Sequence, residues 1–230
     1  MMFSLIGGPG VGKGTFAKII CSRLNLKHIS LGDILRDKLN SDSGKELAEI
    51  MNAGHLISDE LAHAMILENI ASPEMKRQFN GALLDGYPRT INQANLLNIA
   101  LKALQPEPNF KAIDIKLESS VAIAKLLNRK QCATCGESFN TAHIVTGTYD
   151  MPAILPDPLT CQMKEKCTPG VWTTRADDTE ETISVRLRQH ELNIEPILDY
   201  YKKTGELRTF NVFKGVKDVD ALIELIKETP

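Results

Sequence analysis

The chain has 230 residues, of which 43% are hydrophobic and 24% are charged, and its formal net charge is −2. This length is enough for one sizeable α/β core with insertions or for two small domains, and the composition is that of an ordinary globular protein. The balanced charge excludes the basic footprint of a nucleic-acid-binding protein or of a protein that binds anionic membranes. No apolar stretch approaches the roughly 20 residues that span a bilayer.

Location and assembly follow from the same features. The first predicted strand begins at Met2, which leaves no room for a signal or transit peptide in the chain as given. Five cysteines, four of them between positions 132 and 167, do not resemble a secreted disulfide scaffold. We therefore expect a cytoplasmic monomer, with the mitochondrial matrix as the alternative location because a presequence can be removed.

A glycine-rich segment, Gly7 to Thr15, follows the apolar run 2–6 and reads GGPGVGKGT. A strand that leads into such a turn and then into a helix is the context of a phosphate-binding loop. The backbone N–H groups and the helix N-terminus attract an anion, and Lys13 adds a full charge. The usual pattern ends in Lys followed by Ser or Thr, whereas here Gly14 separates Lys13 from Thr15. The loop predicts a nucleotide site and leaves GTPase, ATPase, small-molecule kinase and nucleotide-sensing module open.

Hydrophobic periodicity predicts strands that alternate with helices along most of the chain. The predicted strands cover 2–6, 27–31, 81–85, 111–117 and 209–213. The predicted helices cover 16–24, 32–39, 44–52, 59–71, 91–104, 119–130, 179–201 (interrupted near Pro196) and 219–227. This alternation predicts a parallel sheet with helices on both faces. The proline- and cysteine-containing stretch 131–174 breaks the pattern and is interpreted as an insertion.

Four motifs recur in the order of a known family. They are Gly7–Thr15, Leu31-Gly32-Asp33 with Leu35-Arg36, Leu84 to Arg89 (LDGYPR), and Thr174 to Asp178 (TRADD) leading to Arg186. With them the chain resembles an adenylate kinase of the long-lid type. The resemblance implies an α/β fold of the P-loop NTPase type and Mg²⁺-dependent, reversible phosphoryl transfer from a nucleoside triphosphate to AMP. It also implies a core (1–29, 59–127 and 179–230), an AMP-binding arm (30–58) and a lid (128–178).

Several arginines suit this chemistry, because phosphoryl transfer depends on positioning and on positive charge around the transferred group. The planar guanidinium binds phosphate oxygens two at a time. The resemblance implies that Lys13 acts together with Arg89, Arg129, Arg175 and Arg186. Any one of them could instead be a surface ion-pair partner. Arg175 and Arg186 are 11 residues apart and would share one side of a helix that starts early.

Three carboxylates lie near the expected phosphates. Asp85 ends a predicted strand, where ligands gather in this type of sheet, and is expected to orient the water shell of Mg²⁺. Its alternative role is a helix N-cap. Asp177 and Asp178 are expected to cap a helix or to order the lid by pairing with arginines. The remaining nucleotide-binding residues that the resemblance implies are Gly10, Val11, Gly12, Gly14, Thr15, Gly86, Lys125 and Lys217.

The acceptor pocket follows from the resemblance as well. Arg36 is expected to bind the AMP phosphate, and the backbone near Ile57 is expected to meet the base. Gln93 corresponds to the glutamine that reads the adenine edge, and an amide supplies the donor and the acceptor that adenine needs. Leu31 stands where the family usually has a small hydroxyl residue, so discrimination there rests on shape. AMP is favoured over a pyrimidine monophosphate.

The donor base is less clearly specified. Lys125 is aligned with an arginine that stacks on the donor base in the family, and lysine is not a planar stacker. The segments 26–28 and 201–205 resemble the GTP:AMP branch. ATP is favoured, and GTP is the alternative. A P-loop switch without kinase activity is a distant alternative, since the Asn-Lys-x-Asp motif of a Ras-type switch is absent from the sequence.

The cysteines of the insertion suggest a metal site. Cys132 and Cys135 have the spacing of half a zinc knuckle. Cys161 and Cys167 would complete the site, but five residues separate them instead of the usual two. A structural Zn²⁺ and a lid of free thiols therefore both remain open. Cys21, within a predicted helix, is interpreted as a small core residue.

Overall fold

A computed structural model describes residues 1–38, 44–104, 106–155 and 171–228. The strands are β1 (Met2–Ile6), β2 (Leu26–Ser30), β3 (Gly81–Asp85), β4 (Phe110–Lys116), β5 (Arg129–Cys132), β6 (Ser138–Asn140), β7 (Ile144–Thr146), β8 (Tyr149–Met151), β9 (Trp172–Thr173) and β10 (Leu207–Asn211). The helices are α1 (Lys13–Leu24), α2 (Leu31–Lys38), α3 (Gly44–Asn52), α4 (Asp59–Ile70), α5 (Pro73–Gln78), α6 (Ile91–Ala103), α7 (Ser119–Leu127), α8 (Glu180–Lys203) and α9 (Val219–Lys227), and a 3₁₀ turn covers Gly215–Asp218.

Within these ranges a parallel sheet of five strands forms the centre of the fold, in the order β10-β4-β1-β3-β2. Strand β1 is buried along its whole length, as expected for a strand covered by helices on both faces. It lies between β3 and β4, so the loop that follows it opens at the centre of the carboxyl edge. Ligands bind at this edge in open α/β sheets. The predicted fold class is confirmed.

Helices cover both faces of the sheet and create two apolar clusters. On one face Ile66 of α4, Leu97 of α6 and Ile197 of α8 are buried. On the other face Phe16 and Ile20 of α1 pack with Leu222 of α9 and its neighbours. The sheet is therefore buried between two apolar layers. No helix in the described ranges is long and apolar enough to cross a membrane.

Most predicted elements occur with bounds shifted by a few residues, and β1, β3, α3 and α9 have the predicted bounds. The helix predicted over 119–130 is wrong at its end, because α7 stops at Leu127 and Arg129 begins β5. Asn128 ends the helix: its side-chain Nδ2 donates to the carbonyl oxygen of Ala124 at 2.9 Å. Asparagine amides compete in this way with the helical backbone.

The interruption predicted near Pro196 is also wrong. Helix α8 continues through Pro196 as a single element. Pro196 and Leu192 are both exposed, so the carbonyl group that the proline leaves unpaired lies on the solvent side. Ile197 and Tyr201 anchor the following turns in the core, each with 1% of its surface exposed. Tertiary packing on the other face thus maintains the helix.

The insertion contains regular structure that the sequence did not indicate. Strands β6, β5 and β9 form one antiparallel sheet, and β7 pairs with β8 in a hairpin. The hairpin docks on the core, where Met151 is 3% exposed. The N–H group of Asp150 donates to the carbonyl oxygen of Phe213 at 3.1 Å. Part of the predicted lid segment therefore packs against the residues that follow β10.

Candidate active site

The glycine-rich segment connects β1 to α1 and wraps around the amine of Lys13. Its Nζ donates to the carbonyl oxygens of Gly7 and Gly8 at 2.7 and 2.8 Å. Gly10 has a φ of +84°, and a Cβ there would lie 2.4 Å from the carbonyl oxygen of Ala122. Only glycine fits this position. Because α1 begins at Lys13, three residues before the predicted start at Phe16, the free N–H groups of its first turn face the loop.

The amine of Lys13 lies in a strongly cationic environment. Burial lowers the pKa of Lys13 to about 7, and the charges of Arg89, Arg186 and Arg129 act in the same direction. The carboxylate of Asp85 partly opposes this shift. An arriving phosphate would reverse it, because a polyanion stabilises the charged amine.

Asp85 ends β3 beside the loop. Its Oδ2 lies 3.2 Å from the position that a Cβ on Gly14 would occupy. A side chain at position 14 would crowd this carboxylate, so Gly14 suits the close approach of Asp85. Nε2 of His28, on the neighbouring strand, lies 3.4 Å from the same oxygen. The alternative role of Asp85 as an N-cap is wrong, because Thr90 caps α6.

The four predicted arginines approach the loop from different elements. Arg89 follows the turn after β3, and its Nε donates to the carbonyl oxygen of Gly86 at 2.8 Å. Arg129 starts β5, with Nε 2.7 Å from Oδ2 of Asp178. Arg186 of α8 places Nη1 2.8 Å from Oδ2 of Asp177. The two aspartates therefore pair with arginines as expected.

Arg175 differs from its prediction. Helix α8 begins at Glu180, so Arg175 precedes the helix and shares no helix face with Arg186. Thr179, rather than either aspartate, caps α8: its Oγ1 accepts from the N–H group of Thr182 at 3.2 Å. Arg175 nevertheless reaches the cluster, with Nη2 donating to Oγ of Ser138 at 2.8 Å. Its buried Nε has no hydrogen-bond partner among the described residues.

Burial and mutual repulsion characterise this arginine cluster. Burial lowers the pKa of Arg89 to about 10, and Arg186 contributes to the shift. Arg89 still exposes part of its side chain to the open cleft, where solvent weakens the effect. Burial likewise lowers the pKa of Arg175 to about 10, with Arg129 and Arg36 acting in the same direction. Such crowding of like charges favours binding of a polyanion.

Two clefts meet at this cluster. One cleft runs along the loop and is lined by Gly7, Pro9, Lys13, Gly86, Arg89 and Arg186, among others. A second cleft lies beneath the predicted acceptor arm and is lined by Leu31, Arg36, Ile57, Arg89, Gln93 and Arg186, among others. Arg89 and Arg186 belong to both walls. A group held in one cleft would therefore meet a group held in the other.

The predicted acceptor residues lie together in the second cleft. Arg36 forms an ion pair with Asp33 of the same helix. Leu31 and Ile57 are buried in its apolar wall. Gln93 is 1% exposed. Its amide is bonded to the protein on both sides, with Oε1 accepting from the N–H group of Arg89 at 2.7 Å.

The predicted donor-base residues lie at the other end of the loop. Burial lowers the pKa of Lys125 to about 8, against the opposing charge of Asp218. Its Nζ lies 3.4 Å from the position that a Cβ on Gly12 would occupy. Lys217 is exposed on the 3₁₀ turn after β10. Val11 is buried, while Thr15 is half-buried in the first turn of α1.

The predicted zinc ligands are only partly described. Cys132 is buried at the end of β5 and packs with Phe139 and Cys135. Cys161 and Cys167 lie outside the described residues. Within the described part of the chain, no group of three or more His, Cys, Asp or Glu side chains could hold a metal. Cys21 is buried in the core as predicted, and burial raises the pKa of its thiol to about 12.

His190 was not singled out from the sequence as a site residue. His190 of α8 lies against the loop, with Cδ2 3.4 Å from the position that a Cβ on Gly8 would occupy. Burial, together with the charges of Lys13 and Arg89, lowers the pKa of His190 to about 4. The available signal was its spacing of four residues from Arg186, which places both side chains on one helix face.

Comparisons with known proteins agree with this geometry. The family model described as adenylate kinase matches residues 5–206. Adenylate kinase 1, chloroplastic, of Arabidopsis thaliana is 35% identical over 93% of this chain and 72% of its own length. The GTP:AMP phosphotransferase of Plasmodium falciparum is 35% identical over 98% of this chain and 96% of its own. The adenylate kinase of Borrelia turicatae is 32% identical over 99% of this chain and 100% of its own. The chain therefore belongs to the adenylate kinase family and is a nucleoside monophosphate kinase.

Proposed function

We propose that the protein transfers the terminal phosphoryl group of ATP reversibly to AMP and yields two nucleoside diphosphates. The observation that carries this proposal is the pair of clefts that share Arg89 and Arg186. A donor phosphate chain on the loop and an acceptor phosphate beside Arg36 would both point at these two guanidinium groups. Transfer in line between two bound phosphates needs this convergence.

On the donor side, the loop amides and Lys13 hold the phosphate chain. Arg129 and Arg175 then neutralise charge on the transferred group together with Arg89 and Arg186. Arginines suit this role because their donors are fixed in a planar fork and need little reorganisation. The Nε of Arg175, which has no hydrogen-bond partner among the described residues, supports the proposal, since a buried donor without a partner is costly unless a ligand completes it.

Asp85 and Thr15 are the residues that would hold Mg²⁺. Both offer hard oxygen atoms, which suit this ion, and they approach the phosphate loop from β3 and from α1. When bound, the ion neutralises charge on the donor phosphates. Asp85 would act largely through the waters of the ion, because Mg²⁺ retains much of its hydration shell.

The predicted lid (128–178) and acceptor arm (30–58) have a role in excluding water. Water that reaches the donor's terminal phosphate would hydrolyse it, and closure over the clefts prevents this. Arg129 and Arg175 come from the lid segment, so its closure would also complete the arginine cluster. The core (1–29, 59–127 and 179–230) carries the loop and Asp85.

GTP is the second candidate donor. Lys125 is aligned with the arginine that stacks on the donor base in the family, and it lacks the planar guanidinium for such stacking, which leaves the choice of donor base open. A relative that is 35% identical bears the name GTP:AMP phosphotransferase. Other relatives of similar identity bear the name adenylate kinase, which keeps ATP as the first proposal.

A panel of substrates tests the proposal. Purified protein with Mg²⁺ is mixed with ATP or GTP and with AMP, CMP, UMP or GMP, and the diphosphates are quantified. We expect product with AMP and the highest rate with ATP. A higher rate with GTP would select the second candidate. Elemental analysis of the same sample tests the proposed zinc site at Cys132, Cys135, Cys161 and Cys167. If the four cysteines form this site, the analysis will find one Zn²⁺ per chain.

A further inference from the structure

Asp59, the first residue of α4, gathers hydrogen bonds from the start of α6. Its Oδ1 accepts from Nε2 of Gln93 at 2.9 Å and from Oγ1 of Thr90 at 3.0 Å. Its Oδ2 accepts from Nδ2 of Asn92 at 3.0 Å. Asp59 belongs to none of the sequence motifs and lies 31 to 34 residues from these partners along the chain. The carboxylate therefore joins two helices at the wall of the acceptor cleft.

The amide of Gln93 has one possible orientation in this network. The backbone N–H group of Arg89 can only donate, so the atom facing it must be Oε1. The carboxylate of Asp59 only accepts when it is ionised, so the atom facing it must be Nε2. Rotation of the amide by 180° would place oxygen against oxygen and N–H against N–H. Without Asp59, the N–H group of Arg89 would be the one group among the described residues to oppose this rotation.

A fixed amide distinguishes between purine bases. Nε2 keeps one hydrogen and Oε1 keeps one lone pair beyond the bonds to described residues. Adenine offers a donor at its amino group and an acceptor at N1 on the Watson–Crick edge. Hypoxanthine, the base of IMP, offers an acceptor at O6 and a donor at N1 and thus reverses the pattern. An amide locked in one orientation can form hydrogen bonds with one of these bases. It places donor against donor and acceptor against acceptor with the other.

We propose that Asp59 is a positioning residue that sets the acceptor-base specificity by locking the amide of Gln93. This inference rests on the proposed function, in which AMP is the acceptor and Gln93 reads its base. Asp59 does not touch the base and acts only through Gln93. Loss of the lock lets the amide turn, so the site accepts IMP better and AMP less well.

The test is the ratio of kcat/KM for AMP to kcat/KM for IMP, measured with the same donor. In Asp59→Ala we expect this ratio to fall at least tenfold, and we expect the ratio of the two Kd values, measured by calorimetry, to shift in the same direction. Asn92→Ala is the matched control, because it removes another bond to Asp59 and leaves the bond to Gln93. In Asp59→Asn one acceptor oxygen remains for Nε2, so the wild-type ratio should largely return.

Several outcomes would overturn the proposal. An unchanged ratio in Asp59→Ala, or an equal loss of kcat for both acceptors, means that Asp59 is only structural. If Asp59→Ala does not fold, Asp59→Ser takes its place, since its shorter side chain cannot reach Nε2 but suits a helix start. If the wild-type enzyme phosphorylates neither acceptor, the proposed function itself fails. If only the proposal about Asp59 fails, the wild-type enzyme still phosphorylates AMP.

Discussion

The guanidinium of Arg129 lies along the carboxylate of Asp178, with Nε 2.7 Å from Oδ2 and Nη2 facing Oδ1. The Asp178 side chain is 0% exposed and that of Arg129 is 20% exposed. The pair joins β5 to the residues just before α8. The protein's own carboxylate thus holds an arginine that the proposed mechanism assigns to the transferred phosphoryl group.

Removal of Asp178 should destabilise the fold and misplace Arg129. Asp178→Ala leaves a largely buried guanidinium without its partner, which costs roughly 3 kcal/mol in the free energy of unfolding. Denaturant unfolding measures this loss, and turnover at saturating substrate should fall as well. Asp150→Ala is the control: its pair with His143 is more than half exposed on both sides, at 58% and 57%. Its removal should destabilise the fold far less, because solvent screens an exposed ion pair. Equal losses for the two variants would contradict the role of Asp178.

Donor binding should take up a proton above neutral pH. In the free protein the pKa of Lys13 is about 7, well below its ordinary value of 10.5. At a pH between these two pKa values, the Lys13 amine of the free protein is mostly neutral. A bound triphosphate raises its pKa again. Donor affinity should therefore fall up to tenfold for each pH unit above about 7. Calorimetry at pH 8 in buffers of different ionisation enthalpy measures the proton uptake.

Two variants isolate the contribution of Lys13. Lys13→Met removes the titrating amine and should abolish most of the proton uptake. Lys18→Met, five residues further along α1 with its side chain 42% exposed, should retain it. A binding enthalpy that is independent of the buffer in the wild-type protein would show that Lys13 is already charged before the nucleotide arrives.

A methyl group at Gly10 should disrupt the loop. The φ of +84° and the contact of 2.4 Å with the carbonyl oxygen of Ala122 leave no room for it. Gly10→Ala should weaken donor binding by more than tenfold, measured as the Kd for the triphosphate. Gly147→Ala is the matched control, because Gly147 also has a positive φ, of +55°, but nothing lies within 4 Å of the added Cβ. It should cost about 1 kcal/mol of stability and leave the Kd unchanged. Similar Kd values for both variants would refute the steric account.

Removal of the arginine shared by both clefts should affect chemistry more than folding. Arg89→Ala should lower kcat by two orders of magnitude or more, because the guanidinium faces both bound phosphates in the proposed complex. Thermal unfolding should change little, since the side chain is exposed in the open cleft. Arg23→Ala is the control, because Arg23 is 51% exposed and pairs with Asp220 on the surface. Near-normal turnover in Arg89→Ala would contradict its role.

The sequence predicted those features that depend on local signals. Glycines and a lysine after an apolar strand identified the loop, and periodicity located β3, α3 and α9. A local signal for α5 was missed, since Ser72 caps it and Pro73 occupies its first position.

The remaining features depend on contacts between distant segments. The continuity of α8 at Pro196 requires the packing of Ile197 and Tyr201 in the core. The hairpin β7–β8 is held by its contact with Phe213, which follows β10. Asp59 gains its role from partners more than 30 residues away. Short-range patterns in a single sequence carry no information on such contacts.

The most direct test of phosphoryl transfer between two bound nucleotides is the dependence of product formation on AMP. Phosphorus NMR can follow a mixture of Mg²⁺, ATP and the protein before and after AMP is added. We expect slow hydrolysis at most without AMP, and rapid formation of two molecules of ADP for each ATP consumed after its addition. The account would be contradicted if inorganic phosphate were released at a rate that AMP does not change, both with ATP and with GTP as the donor.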